Sequence, residues 1–213
     1  MSGKNTTKII FDLGNVLLDW SPRYLYSKIF HDEAQLDWFL ANVCADDWIR
    51  ELDRGMPFAE GVAERSRLFP QFAGQIEAFD TRWQETLKGA IEGSVRLLEE
   101  LHDAGAPIYA LTNFSAEKYR ETRPRYGFFS RFTGLVVSGE EGLIKPDPAI
   151  YRLLLQRFGL RAEECLFIDD RPANVVAAQE LGIASVRFED PLQLEAALRS
   201  YGFLQSSRAS SIS

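Results

Sequence analysis

The sequence predicts an α/β fold: a Rossmann-like parallel sheet sandwiched by helices, with an inserted small helical cap domain. Three observations point there. Short apolar runs (KIIF, PIYAL, GLVVS, CLFI and ASVRF) alternate with amphipathic stretches, the pattern of a parallel sheet covered on both faces. About 90 residues separate the first run from the second, far more than the dozen or so a β-α-β crossover needs, so this connection must carry structure of its own. All four tryptophans (Trp20, Trp38, Trp48 and Trp83) fall inside it, enough aromatic surface for a small separate core.

Taken in order, KIIF reads as the first strand, ending on Asp12 with a glycine and an asparagine behind it. SPRYLYSKIF then opens on a Ser-Pro helix start, and residues 20–88 read as helical. Within them Arg54-Gly55-Met56-Pro57 reads as a turn between cap helices. The sheet resumes at PIYAL, which runs into LTN, and continues with GLVVS. In DPAIYRLLLQRFG, Asp147 caps, Pro148 takes the first turn, Ile150, Leu153, Leu154 and Phe158 line one face, and Gly159 stops the helix. CLFI is followed by RPANVVAAQELG, a helix with Pro172 at its start and Gly182 at its end, and ASVRF is the last strand. The expected division is an α/β core of residues 1–19 and 89–205, a helical cap of 20–88 and a flexible tail of 206–213, whose small polar residues read as a frayed end.

At 213 residues, 46% hydrophobic and 26% charged, the chain has the composition of an ordinary globular protein with a substantial core. Its net charge of −7 sets an unfavourable field against a nucleic-acid backbone, so no nucleic-acid partner is expected. Cys44 and Cys165 stand far apart with no CxxC, which argues for two buried thiols and against a disulfide framework or a zinc site. The polar start MSGKNTTKII does not resemble a signal peptide, and no run approaches the roughly 20 apolar residues of a membrane span. The expectation is a cytoplasmic monomer or homodimer with neither a nucleic-acid nor a membrane partner.

In a parallel sheet, ligands bind beyond the carboxyl ends of the strands. The residues expected at that rim are Asp12, Thr112 and Asn113, Lys145 from KPDP, and Asp169 with Asp170. Any one of these has a bland alternative: a strand-end acid also caps helices or forms turns, and a lone lysine is usually solvated. Together, in order, they suit transfer of a phosphoryl group to a carboxylate and then to water. Asp12 is the expected nucleophile. Asp12 and Asp170 offer hard oxygens for Mg2+, which offsets their repulsion with a phosphate. Thr112, Asn113 and the backbone amides that follow would hydrogen-bond phosphate oxygens, and Lys145 adds a fixed positive charge.

The set KIIFDLGNVLLD, LTN, KPDP and LFIDDRPANV resembles, over nearly the whole chain, the haloacid dehalogenase superfamily of hydrolases, in particular its helical-cap phosphatases. The resemblance makes Asp12 the nucleophile, Thr112 the second-motif hydroxyl and Lys145 the third-motif lysine. Asp170 would then bind magnesium directly, Asp169 through water or Lys145, and the Gly14 carbonyl would be a further ligand. The chain departs from the family at Gly14, where related phosphatases commonly carry an acid that protonates the leaving group and then activates water. Its FDLGNV form looks like that of sugar-phosphate phosphatases. Asp19 is one substitute for the missing acid, though a structural role at the cap hinge fits it better. The resemblance also turns the Arg54 loop toward the site, where Arg54 would contact phosphate or hydroxyls. Trp20 or Trp48 would either stack on a sugar or pack in the core.

The function expected is therefore a magnesium-dependent phosphatase of sugar or metabolite phosphates. The alternatives are a metal-independent 2-haloacid dehalogenase using Asp12, and a phosphate- and magnesium-binding module with little turnover. The dehalogenase is disfavoured because those enzymes lack an acidic pair at the fourth motif.

Overall fold

The computed structural model describes residues 6–204, so the expected tail of 206–213 lies outside the described residues. The strands are β1 (Lys8–Phe11), β2 (Leu18–Trp20), β3 (Leu87–Ala90), β4 (Ile108–Thr112), β5 (Gly134–Val137), β6 (Cys165–Asp169) and β7 (Ala184–Arg187). Five of them form one sheet in the order β5-β4-β1-β6-β7, every pair parallel. These are the five apolar runs read from the sequence. The strand order reverses at β1, so the chain end of the central strand opens onto a crevice, where α/β sheets bind their ligands.

The period-two alternation of the strands divides the core between the two faces. Ile9, Phe11, Ile108, Ala110, Leu166 and Ile168 point to one side. Ile10, Tyr109, Leu111, Cys165 and Phe167 point to the other.

Eleven α-helices are described: α1 (Pro22–Tyr26), α2 (Glu33–Asn42), α3 (Asp46–Arg54), α4 (Phe58–Leu68), α5 (Ala73–Thr81), α6 (Glu92–Asp103), α7 (Ala116–Thr122), α8 (Ser138–Glu141), α9 (Pro148–Phe158), α10 (Pro172–Glu180) and α11 (Pro191–Ser200). α9 and α10 cover the second face through Ile150, Tyr151, Leu154, Ala177 and Ala178, while α6 and α11 cover the first through Leu97, Leu98, Leu101, Leu194 and Leu198. In α9, Asp147 accepts a bond from the Ala149 amide at 2.8 Å and Gly159 turns left-handed, as its sequence predicts. Both cysteines are buried and free.

Two expectations about the long insertion need correction. Its ends are strands: β2 and β3 pair antiparallel, so the helices α1 to α5 hang between the arms of a hairpin. LDW and LKGA are too short and mixed to show a strand period, which hid them in the sequence. Nor is the aromatic core separate. Tyr26, Phe39, Trp48, Phe79 and Trp83 pack together, and Trp83 then meets Phe114, which follows β4, at 5.9 Å between ring centroids. The buried lysine Lys118 of α7 also holds Asp80 of α5 at 2.6 Å, so insertion and sheet share one core.

Candidate active site

Asp12 follows β1 directly, and its amide donates to the Ile168 carbonyl at 2.8 Å, which sets its carboxylate at the rim. The turn behind it is tight. The Leu13 carbonyl accepts from the amides of Leu17 and Leu18, both at 2.9 Å, and Asn15 stands at a φ of 56°, a left-handed position that asparagine tolerates. The Asn15 side chain then accepts from the Trp20 amide at 3.2 Å and aims β2 away from the sheet. Gly14 is different: its φ is not left-handed, and a Cβ there would meet nothing within 4 Å. Open space lies in front of it.

The other rim residues converge on Asp12. The Lys145 ammonium sits between two carboxylates, 2.8 Å from Asp12 Oδ1 and 2.7 Å from Asp169 Oδ2. Asn113, just after β4, clasps the Lys145 backbone by a reciprocal pair: its Nδ2 donates to the Lys145 carbonyl at 3.0 Å, and its Oδ1 accepts the Lys145 amide at 2.8 Å. Asp169 is fully buried and saturated, accepting from the Arg171 amide at 2.8 Å and from Asn174 Nδ2 at 2.9 and 3.0 Å as well as from Lys145. Asp12 Oδ1 also takes the Leu13 amide at 2.7 Å, while Asp12 Oδ2 has no hydrogen-bond partner among the described residues. Thr112 ends β4, is buried, and faces the same cavity as Gly14.

Burial pushes the Asp12 carboxyl up and the neighbouring Asp169 and Asp170 add to it, while Lys145 pulls the other way. For Lys145 burial disfavours the charge, but Asp12 and Asp169 outweigh it and keep the ammonium protonated. Asp170, half-buried, is likewise raised by burial and by Asp169. Carboxylate oxygens of Asp12, Asp169 and Asp170 lie within 4.8 Å of one another. Hard oxygens at this spacing, their charge offset in part by Lys145 and Arg171, fit a divalent cation of the magnesium type.

The inserted helices close the site from above. Asp46, Ile49, Arg50 and Asp53 recur at helical spacing along α3, and this face lines a cavity whose floor holds Asp12, Lys145, Asp170 and Arg171. Arg171 reaches across to Asp46 at 3.0 Å. A second, more apolar cavity beside it is lined by Leu18, Trp20, Trp83, Leu87, Thr112 and Phe114, with Gly14, Asp53 and Asn113 at its polar end. Burial pushes the Asp53 carboxyl up to about 7; Asp46 adds to the shift, and the Ser115 amide, Arg171 and Lys145 oppose it.

Arg54, expected to face the substrate, is exposed and lines neither cavity. It lies one position further round α3 than Asp53, which carries its side chain off the site-facing stripe. Sequence reasoning missed Asp53, Arg50 and Arg171; the 46-49-50-53 spacing in DDWIRELD was the available signal for the first two. Trp48 belongs to the core, donating to the Gly61 carbonyl at 3.1 Å, whereas Trp20 lines both cavities with a buried, unpaired Nε1. Asp19 accepts from the Tyr24 hydroxyl at 2.7 Å and lines neither cavity, so its role is the structural one.

A parallel sheet with a reversed strand order, a buried Asp-Lys-Asp chain at its rim and a helical insertion above it form an arrangement suited to a hydrolase. Residues 8–182 match the family model of the haloacid dehalogenase-like hydrolases, and the chain belongs to that family. The sesquiterpene phosphatase astK of Aspergillus oryzae is 28% identical over 189 residues, 86% of this chain and 90% of its own. A predicted HAD-like hydrolase from Porphyromonas gingivalis superposes with a TM-score of 0.72 at 21% identity, covering 94% of this chain and 99% of its own. A HAD family enzyme from Bacteroides thetaiotaomicron, solved with magnesium and inorganic phosphate, gives 0.67 at 22% identity, covering 87% and 95%.

Proposed function

We propose that the chain is a magnesium-dependent phosphatase of small phosphate esters, sugar or related metabolite phosphates, acting through an aspartyl-phosphate on Asp12. The observation that carries this reading is the buried chain Asp12-Lys145-Asp169 with Asp170 beside it, an arrangement that holds one carboxylate oxygen and leaves the other free to attack. Asp12 Oδ2 forms the bond to phosphorus as the ester oxygen departs; water then releases phosphate and restores the carboxylate. Lys145, fixed by Asn113 and Asp169, holds the Asp12 carboxylate oriented and lends positive charge to the phosphoryl oxygens. Thr112 binds those oxygens from the β4 side, and Asn113, its side chain clasping the Lys145 backbone, serves the phosphate chiefly by holding Lys145 in place. Asp12, Asp170 and the Gly14 carbonyl would hold the magnesium, with Asp169 behind them, and the ion would offset charge between carboxylate and phosphate.

We assign residues 20–88 the role of a cap, with Arg50 and Arg171 taking the place expected of Arg54. The two cavities measure about 60 and 70 Å3, less than the roughly 150 Å3 of a cavity that binds benzene, so a bulky leaving group calls for movement of the cap. The apolar wall of Trp20, Trp83, Leu87 and Phe114 supports a second substrate class, esters with an apolar leaving group. The terpenoid substrate named for the Aspergillus relative is in keeping with it.

The test is phosphate release from sugar phosphates, an isoprenoid monophosphate and 2-haloacids, with magnesium or chelator, and with Asp12→Asn as control. Magnesium-dependent release that Asp12→Asn lowers by at least about a thousandfold supports the reading. Halide release in chelator would show the dehalogenase instead, and phosphate binding without turnover above the control would show a binding module.

A further inference from the structure

Position 14 offers no side chain to protonate the departing oxygen, and the space where one would sit is empty. Both cavities open onto that space, and among the described residues only Gly14, Trp20, Asp53 and Asn113 line the two together. Of these four, Asp53 alone carries an ionisable group, and among the described residues it is the sole ionisable group of the apolar cavity. We propose that Asp53, delivered from the inserted helices, is the catalytic acid and base that position 14 lacks. This rests on the phosphatase reading.

The remaining carboxyls near the site are otherwise engaged. Asp12 and Asp169 hold Lys145, Asp170 belongs to the acidic trio, Asp46 is exposed and paired with Arg171, and Asp19 is bound by Tyr24 outside the cavities. The backbone under Asp53 is held in place. Its carbonyl accepts the Ser138 hydroxyl at 2.5 Å, and two residues later Gly55, at a φ of 116°, packs so closely on the Gly139 carbonyl that an added Cβ would lie 3.0 Å from it. The C-terminal end of α3 is thereby seated on the turn that follows β5, beside the loop after β4. Asp53 faces the space before Gly14 because the end of α3 is docked there, so any movement of the insertion would carry the acid with it.

The steps balance. As Asp12 Oδ2 bonds to phosphorus and the ester P–O bond breaks, the Asp53 carboxyl gives its proton to the departing oxygen and an alcohol leaves. Water then attacks the phosphoryl group, the Asp53 carboxylate takes a proton from it, the Asp12–phosphorus bond breaks, and phosphate is released. A general acid works best with a pKa near the working pH, and the half-buried Asp53 carboxyl, at about 7, suits both halves. Asp46 and Arg50 on its own helix, and Asp12, Lys145, Asp170 and Arg171 beneath it, are the charged groups that face the same space.

The experiment compares kcat/KM for 4-nitrophenyl phosphate, whose leaving group needs no proton, with that for glycerol 2-phosphate, whose alkoxide does. Asp53→Asn is expected to lower the alkyl ester by about 100- to 10,000-fold and the aryl ester by less than about tenfold. Gly14→Asp added to Asp53→Asn is expected to recover part of the alkyl activity. Equal losses on both esters, or no loss, would overturn the assignment. Should Asp53→Asn not fold, the wild-type pH profile decides: an alkaline limb near pH 7 in kcat/KM for the alkyl ester but not the aryl ester supports Asp53, and identical limbs refute it. Release of phosphate that depends on Asp12 but is indifferent to Asp53 removes this inference alone. Absence of Asp12-dependent release from either ester removes the phosphatase reading and this inference with it.

Discussion

Replacing Lys145 by methionine keeps the length and much of the volume of the side chain but removes its charge from between two carboxylates. Lys145 is 1% exposed and its ammonium lies 2.8 Å from Asp12 and 2.7 Å from Asp169. Breaking a buried ion pair by deleting one partner costs about 3–5 kcal/mol, because the remaining charge stays buried without compensation. In a chain of this size each kcal/mol is worth about 2–4 °C, so the expected fall in Tm at neutral pH is about 6–20 °C.

The loss should depend on pH with a definite sign. Burial and the neighbouring acids already push Asp12 up, and without Lys145 its folded-state pKa rises further above the unfolded value of about 3.9. A carboxylate raised on folding destabilises the folded state at pH above its unfolded pKa, and the deficit closes as pH falls through the folded value toward about 4. Thermal melts of wild type and Lys145→Met at pH 8, 7, 6 and 5, followed by tryptophan fluorescence, measure the gap directly. A gap below about 1 kcal/mol at pH 8, or one that widens on acidification, would refute the account of Lys145 as the compensating charge.

Two further outcomes follow from the same geometry. Magnesium at about one hundred times its Kd should stabilise the wild type by about 2.7 kcal/mol, read as a rise in Tm of roughly 5–11 °C, and Asp170→Asn should abolish that rise; an equal rise in the variant would remove Asp170 from the metal site. Gly139→Ala places a Cβ 2.4 Å from the Ala116 amide nitrogen and 2.8 Å from the Phe114 carbonyl, backbone atoms with little freedom to yield. It should cost about 1–3 kcal/mol and lower kcat/KM as well, since the displaced turn carries the seat of Asp53; a full-activity, fully stable variant would contradict it.

The hairpin formed by β2 and β3 explains how one insertion serves both the fold and the site. Its two arms fix both ends of the helical segment next to the Asp12 turn, so the insertion is anchored within a few residues of the chemistry. The aromatic cluster and Lys118 then dock the helices onto the sheet. Arg171 and Asp46, both largely exposed, add an ion pair that contributes less than about 1 kcal/mol and can break as the helices move.

Much of this was legible locally. Alternating apolar residues specify strands and their two faces, Asp147-Pro148 and Gly159 specify where α9 starts and stops, and polar residues at successive strand ends meet because a parallel sheet gathers its carboxyl ends at one rim. That Asp12, Thr112, Asn113, Lys145, Asp169 and Asp170 would gather at one rim was therefore legible without coordinates. The tertiary structure decided what depends on the docking angle of one element against another: that Asp53 and not Arg54 faces the site, that Trp20 lines it while Trp48 packs, and that insertion and sheet share a core. One residue along a helix is a turn of 100°; the 46-49-50-53 spacing marks a face of α3, but only its docking decides that this face shares a cavity with Gly14, some forty residues earlier in the chain.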